Sequence, residues 1–195
     1  MNHIQIERSL FASDVHDAMR NYVNERVPLL PVQVDGEDWT RTWLHNDPFF
    51  YGIHEQLREF ASDVFGEPLK PSYTFLSFYR DQGGCPLHID RPQCYRTIDY
   101  LIQQEDPEPW PIHIGAPHTD EEVLEIKGSD LDYPKGQARE ERIRQETWET
   151  ALLYPNDAVL YSGTHQFHYR DRPSRGRADL VFFHFVKESF DGPLT

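Results

Sequence analysis

Hydrophobic spacing changes once along this chain, at Ser72, and that change limits the possible folds more than any other feature. Before Ser72 the apolar residues recur at a helical period. Asp47 is placed to cap a helix, Pro48 to open it and Gly66 to close it. Phe49, Phe50, Ile53, Leu57, Phe60, Ala61 and Val64 form one stripe on that helix. An earlier helix starts at Ser13, with Asp14 and Asp17 near its positive end and Val15, Met19, Tyr22 and Val23 as its apolar positions. After Ser72 the period shortens to that of strands. Ser72–Arg80, Leu87–Asp90, Cys94–Ile102, Trp110–Ile114, Ala151–Tyr154, Ala158–Tyr161 and Ala178–Val186 read as strands, with turn signals at Asp81-Gln82-Gly83-Gly84 and Pro155-Asn156-Asp157. An apolar helical stripe followed by short strands predicts an α+β domain, mainly β, in which N-terminal helices buttress a rolled antiparallel sheet.

The length of 195 residues fits one domain, with residues 1–70 as helical support and 72–187 as the strand core. A charged stretch, 115–147, interrupts the strands as an insertion, and Ala138–Glu149 within this region reads as a short charged helix. The formal net charge of −14 excludes nucleic acid as a main partner, because phosphate binding needs a basic surface. Two cysteines, Cys85 and Cys94, form neither a C-x-x-C pair nor a disulfide scaffold, which indicates a reducing compartment. There is no cationic start with an apolar run at the N-terminus and no apolar run of membrane-spanning length. The expectation is a cytoplasmic, soluble protein with no membrane partner.

The chemistry-bearing residues lie on the predicted strands. His88 and Asp90 are two apart, so on a strand they point to one face. His168 follows a strand, a turn and a second strand, and His165 competes with it three residues earlier. Gly176 and Arg177 stand eight and nine residues beyond His168, and Pro173–Gly176 reads as a turn. That spacing predicts a hairpin returning Arg177 to the side of His168. Two histidines and a carboxylate form the ligand set of a non-haem Fe(II) site with positions left open, and an arginine fork suits a dicarboxylate.

The pattern H-x-D, a distal His, and Gly-Arg about nine residues on resembles the 2-oxoglutarate/Fe(II)-dependent oxygenases, and within them the prolyl-hydroxylase-like branch. The likeness covers roughly 72–187. Phe78-Tyr79-Arg80-Asp81-Gln82-Gly83-Gly84-Cys85-Pro86-Leu87-His88-Ile89-Asp90 is similar to the family's lead-in to its first ligand. Pro155-Asn156-Asp157-Ala158-Val159-Leu160-Tyr161 is similar to its P-G-D-A strand, with Asn156 in place of the usual Gly and able to take a left-handed conformation.

The resemblance implies a double-stranded β-helix of jelly-roll, cupin-like type. It implies Fe(II) held by His88, Asp90 and His168, 2-oxoglutarate as co-substrate and O2 as oxidant. Arg177 would then pair with the distal carboxylate of 2-oxoglutarate, Tyr100 would donate a hydrogen bond to it, and Tyr79 would face the site. Asp90, which related halogenases replace by a small residue, implies hydroxylation; desaturation or ring formation remains open. The insertion has no counterpart in the family core. The expected substrate is a small molecule such as an amino acid or natural-product intermediate, with a peptide or protein residue as the rival. A cupin-type metal protein without 2-oxoglutarate chemistry is the alternative from another class, and a regulatory protein using the acidic insertion is a third.

Several residues carry plainer readings. His184 reads as a packed sheet residue and His165 as a neighbour of the site. Arg170, Arg172 and Arg175 read as a solvated hairpin, with recognition of an acidic substrate group as the alternative for one of them. Trp110 reads as a core or rim aromatic, and Cys85 as a thiol with no partner for nucleophilic work.

Overall fold

The computed structural model describes residues 3–25, 28, 33–34, 41–127, 141, 143–170 and 174–195. In chain order the elements are β1 (Gln5–Glu7), α1 (Ser13–Glu25), β2 (Gln33–Val34), β3 (Arg41–His45), α2 (Pro48–Gln56), α3 (Arg58–Phe65), β4 (Leu69–Tyr79), β5 (Cys85–His88), β6 (Arg96–Gln104), β7 (Ile112–Gly115), α4 (Asp120–Lys127), β8 (Trp148–Ala151), β9 (Ala158–Tyr161), β10 (His168–Arg170) and β11 (Ala178–Lys187). They form two antiparallel sheets. A seven-stranded sheet runs β1-β9-β6-β11-β4-β3-β2, and a four-stranded sheet runs β5-β10-β7-β8.

The predicted caps operate at the second helix. The Asp47 side chain accepts the Phe49 N–H at 3.0 Å, and Gly66 ends the segment at φ 68°. The stripe is divided at Leu57, whose N–H is shared between the carbonyls of Ile53 and His54, so one expected helix appears as α2 and α3. Asn156 takes the left-handed conformation, φ 76°. Its side chain accepts the Phe11 N–H and donates to the Phe11 carbonyl, tying the turn before β9 to the N-terminal segment.

Side-chain alternation on β6 and β11 decides which residues reach which core. Ile98, Tyr100 and Ile102 from β6, with Val181, Phe183 and Phe185 from β11, pack under the helices against Met19, Phe50 and Ala61. The residues between them, Leu101 on β6 and Ala178, Leu180 and Phe182 on β11, face the four-stranded sheet and its Ile112, Ile114 and Ala151. A one-residue step on either strand therefore moves a side chain from the inter-sheet space to the helix side.

One strand expectation and one helix expectation differ from the structure. The strand after the insertion is Trp148–Ala151 rather than Ala151–Tyr154, and it includes the end of the expected charged helix. Within the insertion, α4 opens with Thr119 and Glu122 bonding each other's backbone, a capping box. Residues 128–140 and 142 lie outside the described residues. Among the described residues no helix is long and apolar enough to cross a membrane.

Candidate metal centre

His88 ends β5 and His168 begins β10, and the antiparallel register sets the two opposite each other. Their ring centroids are 4.1 Å apart. Asp90 follows the end of β5, where its N–H donates to the Gly163 carbonyl at 2.8 Å. Its carboxylate reaches both rings, Oδ1 3.6 Å from His88 Nε2 and Oδ2 3.9 Å from His168 Nε2. One ligand atom from each residue lies within 4.8 Å of the others, so the three form a group able to hold a metal ion. Gly163 makes this approach possible, because a Cβ there would stand 2.5 Å from Asp90 Oδ2.

The two rings are oriented for coordination. His88 Nδ1 lies 2.8 Å from the Pro86 carbonyl and His168 Nδ1 lies 3.0 Å from the Gln166 carbonyl. A carbonyl can only accept, so each Nδ1 carries the proton and each Nε2 presents its lone pair. Burial lowers the pKa of His88 well below the usual value, with His168 adding to the shift, and lowers that of His168 to about 4. Both rings are therefore neutral at pH 7, as metal binding requires.

A second group, Asp90 with Cys94 and His184, also has ligand atoms within 4.8 Å of one another. There the donors are already engaged. Cys94 Sγ lies 2.9 Å from the Tyr73 hydroxyl and His184 Nδ1 lies 3.0 Å from Thr97 Oγ1. His184 thus lines the cavity and also packs in the sheet.

The cavity beside His88, Asp90 and His168 has a volume of about 270 Å³ and opens between the two sheets. Tyr79 lines it, as expected, and its hydroxyl accepts from Arg41 at 2.9 Å. Burial raises the Tyr79 pKa to about 12, so the hydroxyl keeps its proton. Cys85 lines it too, and burial raises its thiol to about 11, which leaves no thiolate for nucleophilic work.

Two expected residues stand elsewhere. Arg177 is not returned to His168, because β10 and β11 belong to different sheets and form no hairpin. Its Nε instead donates to Asp179 Oδ2 at 2.5 Å, on the strand face that also meets Arg80 and Gln103. Tyr100 points to the helix side of β6, where its hydroxyl lies 2.6 Å from His16 Nδ1 and donates to Asn156 at 2.9 Å. Its neighbour Asp99 takes the cavity face. His165 does not join the group: its Nε2 lies 2.8 Å from Asp120 Oδ1, in a groove beside α4 whose lining shares Asp90 with the cavity.

The arginine that the fold brings into the cavity is Arg170. It lies two residues beyond His168 on β10 and is 8% exposed. Its guanidinium sits 4.3 Å over the Trp110 ring, donates Nη1 to the Trp110 carbonyl, and places Nη2 3.4 Å from Asp99 Oδ2. Asp99 is fully buried, and its Oδ1 has no hydrogen-bond partner among the described residues. Burial raises its pKa to about 6, against the opposing pull of Arg170. A strand period of two applied to His168 already puts Arg170 on the ligand face; the run of arginines around it obscured that signal.

Comparison with solved structures gives the same architecture repeatedly. SnoK, the non-haem alpha-ketoglutarate-dependent carbocyclase from nogalamycin biosynthesis, superposes with a TM-score of 0.73 at 10% identity, over 95% of this chain and 79% of SnoK. HygX from Streptomyces hygroscopicus, solved with nickel and 2-oxoglutarate bound, gives 0.66 at 13% identity, over 96% of this chain and 84% of HygX. A prolyl-4-hydroxylase from Pseudomonas putida gives 0.65 at 10% identity, over 97% and 95%. The fold is that of the 2-oxoglutarate-dependent oxygenases. No protein-family model matches this chain, and no curated protein matches it significantly in sequence. The likeness to these oxygenases therefore lies in the fold, with the His-Asp-His group set between its two sheets.

Proposed function

We propose that this chain is a 2-oxoglutarate- and Fe(II)-dependent oxygenase, one domain over residues 1–195, that hydroxylates a small molecule. The observation that carries the reading is the His88–Asp90–His168 group, with two open Nε2 lone pairs, sharing one cavity with the buried Arg170. Three protein ligands leave iron the open positions that a chelating co-substrate and O2 need. A metal module of cupin type has no use for a buried arginine beside its ligands, which favours the oxygenase. Strand order supports a double-stranded β-helix: β4, β6, β9 and β11 lie in one sheet, and β5, β7, β8 and β10 in the other.

Iron with 2-oxoglutarate and O2 supplies an oxidative decarboxylation that yields succinate and CO2 and places one oxygen atom in a substrate C–H bond. The chain's own residues arrange this. His88, Asp90 and His168 hold the iron. Arg170, fixed on Trp110, receives the distal carboxylate of 2-oxoglutarate in the role expected of Arg177. Tyr79 lines the wall between Arg41 and Trp110. Asp90 would supply a carboxylate ligand where related halogenases carry a small residue, which favours hydroxylation.

Small-molecule chemistry fits the fold's solved relatives, which include HygX with hygromycin B bound and the epimerase SnoN with nogalamycin RO. Anaerobic Fe(II) and 2-oxoglutarate added to the protein should produce a weak visible charge-transfer band from bidentate chelation. Absence of that band in the wild type refutes the oxygenase reading.

A further inference from the structure

Arg91 follows the metal-binding Asp90 directly, lines the same cavity, and has no role in holding iron or co-substrate. Its guanidinium carbon sits 4.6 Å over the Tyr73 ring, and its Nε donates to the Tyr73 hydroxyl at 3.2 Å. A guanidinium stacked and bonded at once has lost its rotational freedom before any ligand arrives. Other arginines pair with carboxylates, Arg80 with Asp179, Arg96 with Glu67 and Arg170 with Asp99 among them, in a chain whose net charge is −14. Arg91 forms none among the described residues, although the chain holds 33 acidic side chains against 19 basic ones.

The cavity wall beyond Arg91 and Arg170 holds several aromatic rings and a third arginine, Arg41, whose guanidinium lies 4.7 Å over Phe75 and donates to the Tyr79 hydroxyl. Trp43 and Phe75 stack with ring centroids 5.3 Å apart, and Phe182 continues the surface 6.1 Å from Phe75. These rings come from three adjacent strands, β3, β4 and β11. Arg170 is nearly inaccessible, while Arg91 is half-buried and nearer the solvent. A volume of about 270 Å³ lies below the usual range for drug-sized pockets, so a substrate sharing it with a co-substrate must be small.

We infer that the cavity is built for two anions: Arg170 takes the co-substrate, and Arg91 takes a small acidic substrate. That substrate is a carboxylate about the size of an amino acid, whose apolar or aromatic body rests on Trp43, Phe75 and Phe182. Arg91 holds its carboxylate beside Asp90, which brings the substrate's carbon chain toward the metal. This inference rests on the oxygenase reading above.

The test uses protein loaded anaerobically with Fe(II) and 2-oxoglutarate, titrated by calorimetry with a panel of short aromatic and aliphatic carboxylates and the matching alcohols, 3-phenylpropionate and 3-phenylpropanol among them. At least one acid should bind, and its alcohol should bind about tenfold to a hundredfold more weakly, the range expected for a charge-assisted hydrogen bond. Arg91→Gln should erase that preference and Arg91→Lys should keep part of it. Equal binding of acids and alcohols, no binding by any acid, or a preference unchanged in Arg91→Gln would overturn the inference. The charge-transfer band of the wild type, recorded in the same samples, reports on the oxygenase reading separately: a band with no acid preference sinks only the two-anion assignment.

Discussion

Replacing Arg170 tests the assignment of the co-substrate site most directly. The guanidinium is buried, held over Trp110 and 3.4 Å from Asp99, so two effects must be separated. Arg170→Met alone leaves the Asp99 carboxylate without its cation, and stranding one member of a buried pair costs about 3–5 kcal/mol of stability. Arg170→Met combined with Asp99→Leu removes both charges, an exchange that is often neutral or better in a protein interior. The double variant should therefore fold about as well as the wild type while lacking the fork for a carboxylate. Loss of one side of a desolvated, hydrogen-bonded charge pair costs about 2–5 kcal/mol of binding, or roughly 30-fold to 5,000-fold in Kd for 2-oxoglutarate. Titration of the anaerobic charge-transfer band measures that constant. Arg177→Ala, facing Asp179 on the other side of β11, should leave it unchanged. If Arg177→Ala abolishes 2-oxoglutarate binding while the double variant retains it, the placement argued from the two sheets is wrong.

Three further outcomes follow from the geometry. Iron content of the purified protein should collapse in His168→Ala and stay near wild type in His165→Ala, whose ring is engaged by Asp120. Gly163→Ala drives a methyl group to within 2.5 Å of Asp90 Oδ2, so thermal unfolding should show a loss of about 1–3 kcal/mol together with weaker iron binding. Asp99 has its folded-state pKa raised from 3.8 to about 6, so the native state holds that proton more tightly than the unfolded chain. Its contribution is greatest at low pH and is lost as pH rises from about 4 through about 6, a swing of about 3 kcal/mol. Denaturant unfolding of the metal-free protein should show that fall in wild type and lack it in Asp99→Asn; identical pH profiles would contradict it.

The site was legible in the sequence to the extent that local periodicity carries it. His88 and Asp90 needed only the two-residue repeat of a strand, and His168 needed only the strand-turn-strand run before it. The caps of α2 and α3, at Asp47 and Gly66, were equally local. Arg177 was misplaced because the expected hairpin assumed that β10 and β11 pair with each other. They pair instead with β5 and β7 in one sheet and with β4 and β6 in the other. Tyr100 was misplaced by a single step of register, which exchanges it with Asp99.

The sequence by itself determined most element types and singled out His88, Asp90 and His168 as candidate ligands, because these depend on residue type and short-range spacing. Tertiary structure decided that Arg170 rather than Arg177 enters the cavity, that a buried acid stands beside it, and that Arg91 lines the space next to the His88–Asp90–His168 group. Those outcomes depend on which sheet each strand joins, and strand pairing is set by contacts between residues far apart in the chain.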